Sequence, residues 1–176
     1  GQIKFLDQTL GQITFSSPVI HIPALQVASQ PLKIREEKEG SVQSSIRFGL
    51  SAVSRTHPDY FNFSLMNTVL GGYFGSRLQK NIREDKGFTY GISSSLAPYP
   101  RGGYWVVGTD VNGDIVDATL AEIKKEITLL QNDLVPQEEL DVVKSYLMGS
   151  FTGELTQAFD IAEKVRVIQL DGLAPD

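Results

Sequence analysis

The stretch LGGYFGSRLQKNIREDKGFTYGISSS, Leu70 to Ser95, changes character twice. Glycines open it at 71, 72 and 75. A charged segment follows, with Leu78 and Ile82 four residues apart, the spacing of one helical face. Ser76 is placed to cap that short helix, and Gly87 to stop it, because glycine takes the left-handed conformation without steric cost. After Gly87 the apolar residues Phe88, Tyr90, Ile92 and Leu96 alternate as in a strand. Arg83 is turned off the buried stripe and lies in the last helical turn, where the helix dipole favours a cation. On spacing alone it pairs with Glu84 or Asp85. Tyr90 shares a strand face with Phe88 and Ile92, which makes it a core tyrosine with a satisfied hydroxyl.

The segments on either side fit one layered domain. Upstream, Leu32 and Ile34 alternate with polar residues, EEKEG (36 to 40) supplies a turn, and Val42, Ser44, Ile46, Phe48 and Leu50 share one strand face. This predicts an antiparallel hairpin. His57-Pro58-Asp59 opens a helix with the stripe Phe61, Leu65, Met66, Val69 and Leu70, ended by left-handed glycine at Gly71-Gly72. Downstream, PYPRGG (98 to 103) turns the chain, and Trp105, Val107, Thr109 and Val111 alternate along a return strand, with Tyr104 and Val106 on the opposite face. Asn112-Gly113-Asp114 leads into a helix with Val116, Leu120, Ile123, Ile127 and Leu130 inward. Pro136 suits a first helical position, with Glu138 and Glu139 near the positive helix end and Leu140, Val143, Leu147 and Phe151 as the buried stripe. A last helix carries Ile161, Ala162, Val165 and Ile168 and ends at Gly172.

Long helices do not alternate regularly with strands here. The predicted class is α+β: an antiparallel or mixed sheet with helices packed on one face. Residues 1–30, broken by Pro18, Pro23 and Pro31, read as a linker or wrapping segment with short extended pieces. Residues 31–176 read as the domain. The resemblance of GQIKF (from Gly1) to GQITF (from Gly11) is too short to make a structural repeat.

Composition narrows the chemistry. The 176 residues are 41% hydrophobic and 21% charged, ordinary values for one domain with a sizeable core. A net charge of −5 gives no basic footprint for nucleic acid. No apolar run approaches a membrane span. The absence of cysteine excludes disulfides, thiol nucleophiles and thiolate metal sites but leaves the compartment open: bacterial periplasm, cell envelope and cytoplasm all stand. A first residue of Gly1 instead of methionine predicts a processed product or a cloned fragment.

Only two histidines are present, His21 and His57, and neither has a metal-ligating partner at helical spacing. No zinc site is expected in this chain, and His57 reads as a helix-entry residue. There is no G-x-S-x-G elbow, and Ser93-Ser94-Ser95 reads as a half-exposed strand face. GGYFG (71 to 75) lacks the lysine and spacing of a phosphate loop. It reads as a turn between helices or a loop that approaches another chain. Glu36, Glu37 and Glu39 read as a solvated turn, and Tyr104 and Trp105 as sheet packing.

The full stretch from Leu70 to Ser95 resembles the C-terminal, non-zinc-binding half-domain of the M16 (insulinase/pitrilysin-like) zinc peptidases. The residues that carry the resemblance are Leu70, Gly71, Gly72, Ser76, Arg77, Leu78, Arg83, Glu84, Gly87 and Tyr90. SVQSSIRFGL (41 to 50) and VPQEELDVVKSYLMGSF (135 to 151) extend it, so that it covers the chain from about residue 31 onward. The resemblance implies the M16 half-domain fold. It also implies a partner half, in the same or a separate chain, that holds zinc through H-x-x-E-H, so this chain binds no cofactor itself and is not active alone. It assigns Arg83 and Tyr90 to the catalytic site and Gly71 and Gly72 to binding a peptide substrate. Because family halves usually continue past the third helix, it also implies a truncated C-terminus. Two alternatives remain: a structural core subunit without proteolysis, and a stand-alone module that binds extended peptides.

Overall fold

The computed structural model describes residues 1–14, 27 and 30–173. Pro18, Pro23 and His21 lie outside the described residues. Three antiparallel strands, β1 (Gln43–Ala52), β2 (Ile92–Tyr99) and β3 (Gly102–Asn112), form a sheet in the order β1-β3-β2. The helices are α1 (Gln2–Thr9), α2 (Tyr60–Asn67), α3 (Val116–Asn132), α4 (Gln137–Glu154) and α5 (Ala158–Asp171). α2 continues into a π-turn at Thr68–Gly72, and a longer π-helix occupies Gln79–Asp85. This is the expected α+β layer.

Strand register explains where the core sits. Phe48 faces Val107, which faces Ser94, and the next row is Leu50, Trp105 and Leu96. Period-two alternation therefore puts Ile46, Ile92, Ser94, Trp105, Val107 and Thr109 on one buried face. Leu70, Leu78, Ile82 and Ile123 cover that face from the helices. Burial of such side chains is the main source of stability, at about 25 cal/mol per Å² removed from water.

The buried row has one small member, Ser94, and the helix crosses the sheet there. Gly71 meets it: a Cβ on Gly71 would lie 2.6 Å from the Ser94 main-chain nitrogen. The expected left-handed stop at Gly71-Gly72 is not made. Neither glycine has positive φ, and the chain leaves the π-turn through extended Tyr73. Gly71 is required for close approach instead of backbone direction. The positive-φ stops do occur at Gly87 (φ 64°) and Gly172 (φ 67°).

Four other expectations change. Leu32 and Ile34 are exposed and residues 31–38 form no strand, so the first hairpin is not formed. Two apolar side chains give such a strand little to bury. Residues 2–9 are helical instead of extended, in a proline-free segment whose Ile3, Leu6 and Leu10 stay exposed. On α2, Phe61 is 72% exposed and the inward residues are Phe63, Met66, Val69 and Leu70. The wider π-turn rotates the last of these onto the sheet. On α4 and α5, Val143 is fully buried, but Phe151, Ile161 and Val165 remain exposed.

Glycine-to-alanine substitutions test the close approach. Gly71→Ala is expected to destabilise the fold by about 1–3 kcal/mol through overpacking against main chain. Gly149→Ala, in α4 with no atom near the added carbon, is expected to be neutral or slightly stabilising. Denaturant midpoints of the two variants give the comparison.

Candidate functional site

The last residue of α2 locks the helix to the sheet. Asn67 is buried, its Oδ1 accepts from Trp105 Nε1 at 2.8 Å, and its main-chain carbonyl accepts from Ser94 Oγ at 3.1 Å. The loop that follows is built on aromatic rings. Tyr73 stacks on Tyr146 of α4 with centroids 4.9 Å apart. Gly75 lies under the Tyr73 ring, where a Cβ would come within 2.8 Å of it. Phe74 turns outward.

The next helix is held from three directions. Arg77 grips Glu139 of α4 through two bonds, Nε to Oε1 at 2.8 Å and Nη2 to Oε2 at 2.6 Å. Asn81 Nδ2 donates to Glu126 at 2.6 Å and to Glu122 at 3.0 Å, both on α3. Gln79 Nε2 donates to the Ile92 carbonyl of β2 at 2.7 Å. Leu78 and Ile82 are fully buried beneath. Ser76 is buried, but its Oγ has no hydrogen-bond partner, so the expected side-chain cap is not made.

Arg83 rides on this frame. Its guanidinium carbon lies 4.4 Å from the centre of the Phe74 ring, within cation–π range. Its ion pair with Glu84 is long, 3.8 Å. The side chain is 31% exposed, yet Nη1 is buried without a hydrogen-bond partner. An orphaned charged donor of this kind calls for an explanation.

Tyr90 is not a core residue. It is 96% exposed and sits in the loop before β2, which begins only at Ile92. That loop is pinned at both ends. Phe88 N donates to the Ile82 carbonyl at 3.0 Å. Thr89 Oγ1 donates to the Asp110 carbonyl at 2.8 Å and accepts from Gly91 N at 3.2 Å. Thr109 Oγ1 joins Thr89 at 3.0 Å. The tyrosine therefore projects from a fixed backbone. Among the described residues no hydrogen bond or ring contact joins Arg83 to Tyr90. Of the glycine pair, Gly71 is buried against Ser94 and Gly72 is exposed.

No group of three or more potential ligands that could hold a metal ion occurs among the described residues. His57 Nδ1 accepts from Asp59 N at 3.1 Å, as a helix-entry residue does. The Arg77, Asn81 and Glu139 tethers escaped the sequence reading. Arg77 and Glu139 are 62 positions apart, and no local pattern links them. The stack of Phe74 on Arg83 escaped it too.

A family model described as the peptidase M16 inactive domain matches residues 2–147. The chain belongs to that family. A curated relative, named as the uncharacterized zinc protease YmxG of Bacillus subtilis, is 26% identical over 118 residues, which is 67% of this chain and 29% of the relative. A second, an uncharacterized zinc protease of Rickettsia bellii, is 29% identical over 90 residues, 51% of this chain and 22% of the relative. The M16 inactive domain described here thus spans less than a third of either. The crystal structure of a peptidase M16 inactive domain from Pseudomonas fluorescens matches with a TM-score of 0.69 and 30% identity, covering 76% of this chain and 32% of that one. The periplasmic protease PqqL of Escherichia coli shares the fold, with a TM-score of 0.73 and 17% identity over 95% of this chain and 19% of that one.

Electrostatics tie the frame together. The hydrogen bonds from Arg77, and its charge, hold the Glu139 carboxyl below the usual glutamate range, and Glu139 in turn raises Arg77. Burial, and then the Glu139 charge, push the Tyr73 hydroxyl up. A carboxylate with a lowered folded-state pKa stabilises the fold above its ordinary value of 4.5, and that contribution is lost as pH falls through the folded value. Glu139→Gln is therefore expected to cost about 1–2 kcal/mol at neutral pH, with the gap to the parent closing below the ordinary glutamate range. Urea titrations across acidic and neutral pH test this.

Proposed function

We propose that this M16 inactive domain is the substrate-binding half of a zinc peptidase and supplies Arg83 and Tyr90 to a site whose zinc is held by a partner half. The single observation that carries the reading is the pair of unfilled donors on rigid supports. Arg83 Nη1, 3.8 Å from Glu84 Oε1, makes no hydrogen bond, and Tyr90 is 96% exposed on a pinned loop. The family resemblance of the surrounding motif supports the same two residues. Among the described residues no cluster of ligands converges that could hold zinc.

When bound in the partner half, zinc polarises a substrate carbonyl and activates water. The work left to this chain is electrostatic. As the peptide carbonyl becomes tetrahedral its oxygen gains negative charge. The Tyr90 hydroxyl donates a hydrogen bond that is stronger in that state than in the ground state, which is what accelerates a reaction. Arg83 grips a neighbouring substrate carbonyl with donors in fixed geometry. Gly72, exposed beside the loop, leaves room for an extended peptide. The structural-subunit reading has no use for a guanidinium donor left without a hydrogen bond, which favours the proteolytic one.

In the assembled protease, Tyr90→Phe is expected to lower kcat for peptide hydrolysis about tenfold or more, and Arg83→Ala to lower kcat/KM by a similar factor. Both residues lie outside the buried core, so thermal unfolding is expected to stay close to the parent's. Unchanged hydrolysis in both variants overturns the assigned roles.

A further inference from the structure

Phe74 is a large apolar residue that the core does not use. It is 66% exposed, in a loop whose neighbours Tyr73 and Gly75 are packed against α4 and against each other. An exposed phenylalanine in a fixed loop needs a reason, and its ring has one contact of consequence: the Arg83 guanidinium, 4.4 Å from the ring centre. Polar tethers on that guanidinium are few, although its side chain is only 31% exposed. Glu84 is 3.8 Å away, and Nη1 makes no hydrogen bond. A long side chain with so few polar tethers would sample many rotamers, and ordering it on binding would cost affinity.

We propose that Phe74 is a positioning residue for Arg83: its ring holds the guanidinium plane in place and shields it from water, leaving the donors oriented for a substrate carbonyl. This rests on the proposed role of Arg83 at a peptide-hydrolysis site. The aromatic face supplies attraction without a hydrogen bond, so it fixes the cation while leaving its donors unused. A carboxylate in the same place would fix the arginine equally well but would occupy those donors. The geometry also ties the GGYFG loop to the site. Tyr73, stacked on Tyr146, sets the loop, the loop sets Phe74, and Phe74 sets Arg83.

The test combines activity with a direct view of the contact, in the assembled protease. Phe74→Leu is expected to lower kcat/KM for peptide hydrolysis about fivefold, the loss of one partly exposed cation–π contact. Phe74→Tyr, which keeps a ring, is expected to rescue it. In an Arg83→Met background, Phe74→Leu is expected to change nothing further, because its effect runs through the arginine. The Arg83 Nε–H resonance is expected to show a ring-current shift in the parent that disappears in Phe74→Leu. An Nε–H resonance unmoved by Phe74→Leu overturns the positioning role whatever the activity does. Full activity in Phe74→Leu, or an equal loss with and without Arg83, overturns it as well. Full activity in Arg83→Met instead overturns the proposed function, and the role of Phe74 in the reaction with it, even where the resonance still reports the contact.

Discussion

The close seat of α2 on the sheet is the constraint on which the other contacts depend. A side chain on Gly71 would collide with the main chain of Ser94, so the two backbones meet without one. Asn67 completes the seat by satisfying the indole of Trp105 and the hydroxyl of Ser94. Both bonds are buried, so an unfilled partner would carry the full cost of desolvation. With α2 fixed in this way, the loop from Tyr73 to Ser76 leads into a helix that bonds to β2, α3 and α4.

That helix is unusual in how much of its polar surface is engaged in holding it. Arg77, Gln79 and Asn81 reach three different elements, each through a short hydrogen bond. Arg83, one turn further, is the exception. The same π-helix that anchors its first residues presents an arginine whose buried nitrogen makes no hydrogen bond and only a long ion pair with Glu84. π-helical segments concentrate at functional sites, where an extra residue per turn re-aims a side chain. The next turn of chain, through left-handed Gly87, brings an exposed tyrosine onto a loop held by Thr89 and Thr109. Rigid support under donors without hydrogen bonds is what electrostatic catalysis asks of a protein, because donors already in place need no reorganisation as charge develops.

Much of the fold was legible in the sequence. Alternation in Trp105, Val107, Thr109 and Val111 placed β3, and the spacing of Leu120, Ile123, Ile127 and Leu130 placed α3, because each pattern is long and has one period. Gly87 and Gly172 were legible as stops because the left-handed conformation has a local cause. Gly71 was misread for the same reason: a glycine needed for a contact with Ser94, distant in sequence, looks identical to one needed for its own φ. Tyr90 looked like a core residue because alternation began at Phe88, whereas the hydrogen bonds of Thr89 delay the strand to Ile92. The candidate pair, Arg83 and Tyr90, came from the ordered motif and not from periodicity. What supports it, the Phe74 ring and the Arg77–Glu139 tether, was not legible, since neither contact follows from spacing along the chain.

The central claim is that the two donors meet a substrate at a zinc site contributed by another half-domain. The most direct measurement is a crystal structure of the assembled protease with a peptide-like inhibitor that mimics the tetrahedral state. The account predicts the Tyr90 hydroxyl and an Arg83 guanidinium nitrogen within direct hydrogen-bond distance, roughly 2.7–3.2 Å, of inhibitor oxygens. An inhibitor bound at the zinc with both groups turned away to solvent, or held apart from it by more than one water, would contradict it.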